Sequence, residues 1–306
     1  MLRTAALQLT RMSWFRKFMM STPVIRGVVG RFVGGEDLAS GLAAVRQLNA
    51  KGIKGSLNFH GMHALDRPEA LEAADQAIMA LQKIDEEGLD ANVSVKLTKL
   101  GLDVDATFCR EQLQRVLACA SEAGGFVRID MEESAYVEPT IRLFEEMQDQ
   151  FGGGTVGLVL QSYLRQRSAD LDRLLDRGAS IRLVKGGYRE SAEVVFRGKA
   201  EVDAAFLRDI ERLLGRGRAP AIATHDHAAI AWALAVQSRL GLGREDLEFQ
   251  MLYGVKEALQ ERLVAEGHRV RCYVPYGGDW VNHVIGCLRR LPADFFRRFE
   301  FQRSRP

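Results

Sequence analysis

Lys96, Asp130, Gln161, Arg182, Lys185, Thr224, His225 and Tyr273 each stand within or at the far end of a short apolar, β-branched run. Their types suit chemistry at one shared rim. Lys96 and Asp130 close neighbouring runs and can pair across the space between them. Arg182 and Lys185, with Gly186 and Gly187 directly behind, form a site for an electron-rich group, because glycine lets a flat or phosphorylated ligand approach the backbone closely. Gln161 adds an amide that both donates and accepts. A lysine in such a place is also the residue that forms a Schiff base with a carbonyl substrate, as in aldolases, so Lys96 and Lys185 keep that chemistry open. The plainer readings are a loop lysine for Lys96 and satisfied core polar groups for Thr224, His225, Gln250 and Tyr273. Their common placement weighs against both.

The elements that must position these residues recur along the chain. Eight runs, at 52–58, 91–96, 125–130, 155–161, 180–185, 221–225, 247–252 and 269–273, alternate with long stretches rich in Ala, Leu, Glu and Arg. Strand and helix in strict alternation imply an α/β fold, a (βα)8 TIM-type barrel whose chemistry collects at the C-terminal ends of the strands. A chain of 306 residues suits one such barrel with a modest extension. Gly34-Gly35 breaks the pattern before a helix starting near Glu36, which divides the chain into an N-terminal helical extension, 1–35, and a catalytic barrel, 36–306.

Composition excludes several function classes. The formal charge is only +2 and is mixed along the chain, which argues against a nucleic-acid partner. Four cysteines without a CxxC pair fit reduced thiols in a cytoplasmic protein. The six histidines show no metal spacing beyond His225-Asp226-His227, so no metal is expected. No apolar run is long enough to span a bilayer. Residues 1–35 carry Arg3, Arg11, Arg16, Lys17, Arg26 and Arg31 with no acid before them, among Leu2, Leu7, Trp14, Phe15 and Phe18. This segment reads as an amphipathic helix closing the bottom of the barrel, with a peripheral contact at the inner membrane or a transit peptide as alternatives. A GxGxxG in a strand-to-helix turn is lacking, which argues against a Rossmann dinucleotide site. Gly152-Gly153-Gly154 reads as a turn, and Gly215-Arg216-Gly217-Arg218 as a solvated loop.

The strand ends carry a further pattern. Val93-Ser-Val-Lys96-Leu, Arg128-Ile-Asp130-Met-Glu132, Gln161-Ser-Tyr163-Leu, Arg182-Leu-Val-Lys185-Gly-Gly-Tyr188, Ala223-Thr-His225, Glu248-Phe-Gln-Met-Leu252 and Tyr273-Val-Pro-Tyr-Gly277 occur in order. Over roughly 36–300 the chain resembles the monofunctional, flavin-dependent proline dehydrogenases. The resemblance implies a distorted (βα)8 barrel with FAD at the C-terminal rim and the last helix folded over the mouth. It implies hydride transfer from a proline-like amine to flavin, with electrons passing on to a quinone. By the same resemblance Arg182 sits near the flavin N5, and Lys185, Gly186, Gly187, Met131, Gln161, Thr224 and His225 contact FAD. Gln250 is counted with them. Lys96 and Asp130 resemble substrate-site residues, with Asp130 orienting Lys96, and Tyr273 the aromatic that packs on the substrate ring. Nearby cations would stabilise the negative charge of reduced flavin.

The chain departs from the family at its C-terminal helix. There the family grips the substrate carboxylate with an Arg-Arg pair followed by a Glu. Aligned without gaps on Trp280 and Pro292, the pair becomes Gly286 and Cys287, and the Glu becomes Arg290. Shifting three residues puts Arg289 and Arg290 in the anchor but Ala293 at the Glu, and three helical residues mean about 4.5 Å of rise and about 60° of offset. The gapless reading is preferred. Charge-assisted hydrogen bonds are worth about 1.5 to 3 kcal/mol each, so losing two weakens proline binding by roughly two to four powers of ten. Gly286, Cys287, Arg289 and Arg290 are therefore the expected substrate-binding residues of this segment, and the substrate is expected to be a proline-like or modified amine. Asn58 and Met62 also stand in a strand-one region where the family carries acids. Two rival functions remain, a Schiff-base lyase and a flavin-binding protein that has lost proline turnover.

Overall fold

The computed structural model describes residues 31–165 and 167–277. Within them, eight parallel strands close into a barrel, β1 (Lys54–Phe59), β2 (Ala91–Val95), β3 (Val127–Ile129), β4 (Val156–Gln161), β5 (Ser180–Val184), β6 (Arg218–Ala223), β7 (Glu248–Leu252) and β8 (Arg269–Tyr276), each hydrogen-bonded to the next and β8 to β1. Helices α1 (Leu38–Asn49), α2 (Arg67–Glu86), α3 (Ala106–Glu122), α4 (Ser134–Phe151), α5 (Arg167–Asp176), α6 (Lys199–Arg216), α7 (His227–Arg239) and α8 (Glu257–Ala265) intervene. The fold is the TIM-type α/β barrel expected. Residues 1–30 of the expected extension 1–35, and the expected last helix with Gly286, Cys287, Arg289 and Arg290, lie outside the described residues.

Local chemistry sets the element boundaries. Aspartates Asp37, Asp66, Asp105 and Asp226 sit at the N-caps of α1, α2, α3 and α7, each accepting backbone N–H bonds that the first helical turn leaves open. In α2, Ala70, Ala73, Ala74, Ala77 and Ala80 are buried at helical spacing, a face of small residues of which Ala73 and Ala77 meet the β1 and β2 strands. Around the outside, ion pairs link successive helices, Asp75 to Arg115, Arg110 to Glu146, Glu145 to Arg173 and Asp172 to Arg216. Arg216 is thereby placed at the end of α6 against α5 rather than in a solvated loop.

Two strands reach three residues beyond the sequence-based ranges. β6 starts three residues early, at Arg218, and runs through Ala219 at φ +46° and Pro220. A register shift against β5 between Ser180 and Arg182 absorbs the extra residue, so a proline without a donor is tolerated. β8 continues to Tyr276 because its pairing with β1 runs unbroken from Lys54 opposite Arg271 to Phe59 opposite Tyr276. In the other direction, Lys96, Asp130, Lys185 and His225 follow their strands instead of ending them.

Alternation divides the two sides of the sheet. Val93, Val95, Val127, Ile129, Ile181 and Leu183 belong to the apolar layer under the helices. Many of the inward positions are polar, where barrels of this class usually stack branched aliphatics. Arg271 grips Glu248 through Nε at 2.8 Å and Nη2 at 3.1 Å and donates Nη1 to the Gly55 carbonyl at 2.6 Å. Arg128 donates to the Ser180 carbonyl at 2.6 Å. Burial, with Arg182 nearby, pushes the Arg128 pKa down to about 9. Among the described residues, no helix is long and apolar enough to cross a membrane.

Candidate active site

The C-terminal ends of the strands open on a cavity of about 620 Å³. It is lined by Lys96, Asp130, Met131, Gln161, Arg182, Lys185, Gly186, Gly187, Thr224, His225, Gln250 and Tyr273, so the described residues nominated from the sequence converge on one place. Seven strand ends supply them.

Asp130 is the hub. Its Oδ1 accepts from Arg182 Nη2 and from Ser94 Oγ at 2.9 Å, and its Oδ2 accepts from the Tyr273 hydroxyl at 2.8 Å. Pairing Asp130 with Lys96 is therefore corrected: its ion-pair partner is Arg182, two strands away. The register explains the reach, since Ile129 lies opposite Leu158 and Val159 opposite Arg182, which brings Asp130 and Arg182 to one level across β4. Both side chains are only 8% exposed, and a carboxylate at that depth requires a cation. Arg182 also donates Nη1 to Gln250 Oε1 at 3.3 Å and lies 5.4 Å from the centre of the Tyr273 ring. Burial, reinforced by the Asp130 charge, drives the Tyr273 pKa well above the ordinary phenol range. The hydroxyl is thus a permanent donor.

Lys185 is also compensated. Its Nζ reaches Asp203 of α6 at 2.5 Å and Asp226 at 2.6 Å. Burial alone would lower the lysine pKa, but the two carboxylates outweigh it and raise it. Among the described residues, Lys96 has no carboxylate within ion-pair distance, which sets it apart from the other two cavity cations. His225 Nε2 accepts the Leu252 N–H at 3.0 Å, a bond that requires that nitrogen unprotonated and ties the β6 end to β7. Gln161 Nε2 donates to the Met131 carbonyl at 3.4 Å, while its buried Oε1 lacks a partner among the described residues.

The glycine step after β5 is sterically demanding. Gly186 has φ +97°, and a Cβ there would sit 2.1 Å from the Tyr163 ring, so any side chain would displace the tyrosine. Burial pushes the Tyr163 pKa up to about 12. Asn58 is buried and donates to the Ser94 carbonyl at 2.8 Å, while Met62 is 62% exposed. Neither lines the cavity. Sequence reasoning passed over Ser94, Asp203, Asp226 and Glu248. Three were detectable as polar residues two positions from a nominated one, Ser94 before Lys96, Asp226 after Thr224 and Glu248 before Gln250. Asp203 sits on a helix and carried no such signal. Beside the cavity, His63, Glu132 and Glu133 each bring one donor atom within 4.8 Å of the others, although Glu132 is already engaged by the Thr98 N–H and hydroxyl.

Residues 41–291 match the family model for proline dehydrogenase. The chain belongs to the proline dehydrogenase family. It is 34% identical over 264 residues to proline dehydrogenase 1 of Bacillus subtilis (strain 168), covering 86% of this chain and 87% of that one. It is 38% identical over 267 residues to the proline dehydrogenase of Deinococcus radiodurans, covering 86% of each chain. Among solved structures, proline utilization A from Bdellovibrio bacteriovorus inactivated by N-propargylglycine superposes with a TM-score of 0.81 at 25% identity, over 92% of this chain and 34% of that one. The chain thus spans about a third of that larger protein and shares its barrel. As a member of the proline dehydrogenase family it is an oxidoreductase, and the cavity is its candidate active site.

Proposed function

We propose that this proline dehydrogenase family member binds FAD in the barrel-mouth cavity and oxidises proline or a closely related cyclic amine. When bound, FAD supplies the hydride acceptor. The observation that carries the reading is the convergence on one cavity of Arg182, Asp130, Tyr273 and Gln161 Oε1, which is unpartnered among the described residues. Buried polar atoms ordinarily find partners, and Gln161 Oε1 suits an N–H donor such as the flavin ring carries. Gly186 and Gly187 line the cavity beside Arg182, and Met131, Lys185, Thr224, His225 and Gln250 complete the cofactor-binding set. Because Arg182 is paired with Asp130, it offers an electron-rich ring the N–H edge of a guanidinium rather than a bare charge. Such a fixed, buried donor costs little reorganisation as negative charge develops.

Lys96 is assigned the substrate carboxylate, since Arg182 and Lys185 already hold acids. Tyr273 packs its ring against the substrate while its hydroxyl stays on Asp130. The clasp on Lys185 disfavours a Schiff-base lyase there, because an amine held charged by two carboxylates is a poor nucleophile. Electron delivery to a quinone, with the basic N-terminal segment touching the membrane, completes the proposal and is checked by quinone reduction during turnover.

Anaerobic addition of amines to the purified protein tests the reading. Yellow protein bleached by L-proline supports proline oxidation; bleaching by N-substituted or carboxylate-free cyclic amines but not by L-proline identifies a modified amine as substrate. Colourless protein that takes up no FAD on reconstitution overturns the proposal.

A further inference from the structure

We propose that Glu248, at the base of the barrel and away from the reacting atoms, is a positioning residue that fixes Arg182 through the amide of Gln250. Glu248 is 6% exposed, and its carboxylate occupies both Nε and Nη2 of Arg271. Its Oε1 also accepts from Gln250 Nε2 at 2.7 Å. An amide has one donating and one accepting end, so committing Nε2 to Glu248 turns Oε1 upward, where it accepts from Arg182 Nη1 at 3.3 Å. Arg182 is then held between two acceptors, Gln250 on one side and Asp130 on the other. Glu248 and Gln250 are alternate inward positions of β7, and Arg271 stands on β8 opposite Gln250, so the hydrogen bonds run Arg271, Glu248, Gln250, Arg182.

The direction of this chain depends on Glu248 accepting only. Burial alone would raise its pKa, yet Arg271 holds it down to about 2, so it stays a carboxylate across the working range. A glutamine there would have to point its own NH2 either at the Arg271 guanidinium or at Gln250. The second choice flips Gln250 and sets its NH2 against Arg182, donor against donor. The first choice keeps Gln250 in place but sets NH2 against the two donors of Arg271, so the second is favoured and Arg182 loses its defined seat.

The inference rests on the flavin reading of the cavity, and its test separates the two. The measurement is the midpoint potential of bound flavin, with the flavin absorption envelope, in FAD-loaded wild type, Glu248→Gln, Gln250→Leu and the double variant. Mis-seating Arg182 is expected to weaken the preference for reduced flavin at least tenfold, a fall of about 30 mV for a two-electron couple. Gln250→Leu should match it while leaving the Arg271 to Glu248 pair in place, and the double variant should add nothing further. An unchanged potential in Glu248→Gln or Gln250→Leu, with only a lower Tm, shows a purely structural role and overturns the inference. Additive shifts in the double variant do the same. If Glu248→Gln does not fold, Glu248→Asp, which keeps the charge beside Arg271 but withdraws the carboxylate from Gln250, decides in its place. Wild-type protein without flavin rejects the reading of the site and this inference together, whereas yellow wild type with insensitive variants rejects the inference alone.

Discussion

Asp130 receives three donors at the cavity floor, and the balance among them decides what each contributes. The Tyr273 hydroxyl and Ser94 Oγ make neutral-to-charged hydrogen bonds; Arg182 makes the buried ion pair. Replacing Asp130 by Asn leaves a buried guanidinium without its counter-charge, which costs about 3 to 5 kcal/mol of folding stability. Tyr273→Phe removes one hydroxyl donor and costs roughly 1.5 to 3 kcal/mol, because Asp130 keeps Arg182. Denaturant titration of the two variants should rank them in that order, and substrate turnover should fall in both. A Tyr273→Phe variant less stable than Asp130→Asn would show that the tyrosine, not the arginine, carries the hub.

The connection from β5 to α6 holds the tightest local geometry beside the cavity. Gly186 combines a left-handed φ with contact to the Tyr163 ring, and Lys185 immediately before it is clasped by Asp203 and Asp226. Gly186→Ala is expected to cost about 1 to 3 kcal/mol through backbone strain. Displacement of Tyr163 and of the adjoining Lys185 backbone should weaken FAD affinity at least tenfold, read by titrating apo-protein with flavin fluorescence. Wild-type affinity in Gly186→Ala would remove this loop from the cofactor site. The reason the element matters is mechanical: the β-ladder bonds and the two acids on Lys185 both pin the chain just before Gly186, so a misfit there cannot be relaxed back into the strand.

Across the whole molecule, the barrel interior is a charged column where aliphatic layers are usual. Such a column trades some hydrophobic stability for directionality, and it makes the fold acid-sensitive in a defined window. The Glu248 pKa falls from 4.5 to about 2 on folding. The unfolded chain therefore binds more protons between those values, and stability rises with pH through the window. The contribution, about 3 kcal/mol, is complete above pH 4.5 and is lost as pH falls through 2. Urea unfolding measured along a pH series should show this slope in wild type and its loss in Glu248→Gln. The exposed ion pairs between helices add little to it, each worth about 0 to 1 kcal/mol.

Strand count, barrel and the rim on which the chemistry sits were legible in the residues before any folding. Strand periodicity and helix-forming spacers are local properties, and a (βα)8 barrel places every strand end on one face by construction. The same locality made Lys96, Asp130, Arg182 and Lys185 recognisable as site residues. Their partners were another matter. Only the closed barrel, with β4 between them, brings Asp130 level with Arg182 instead of joining it to Lys96; only helix packing delivers Asp203 to Lys185; and only the inward pleat sets Glu248 under Gln250 with Arg271 beside them. Charge pairing depends on distances across the barrel, and those distances do not exist until the sheet closes.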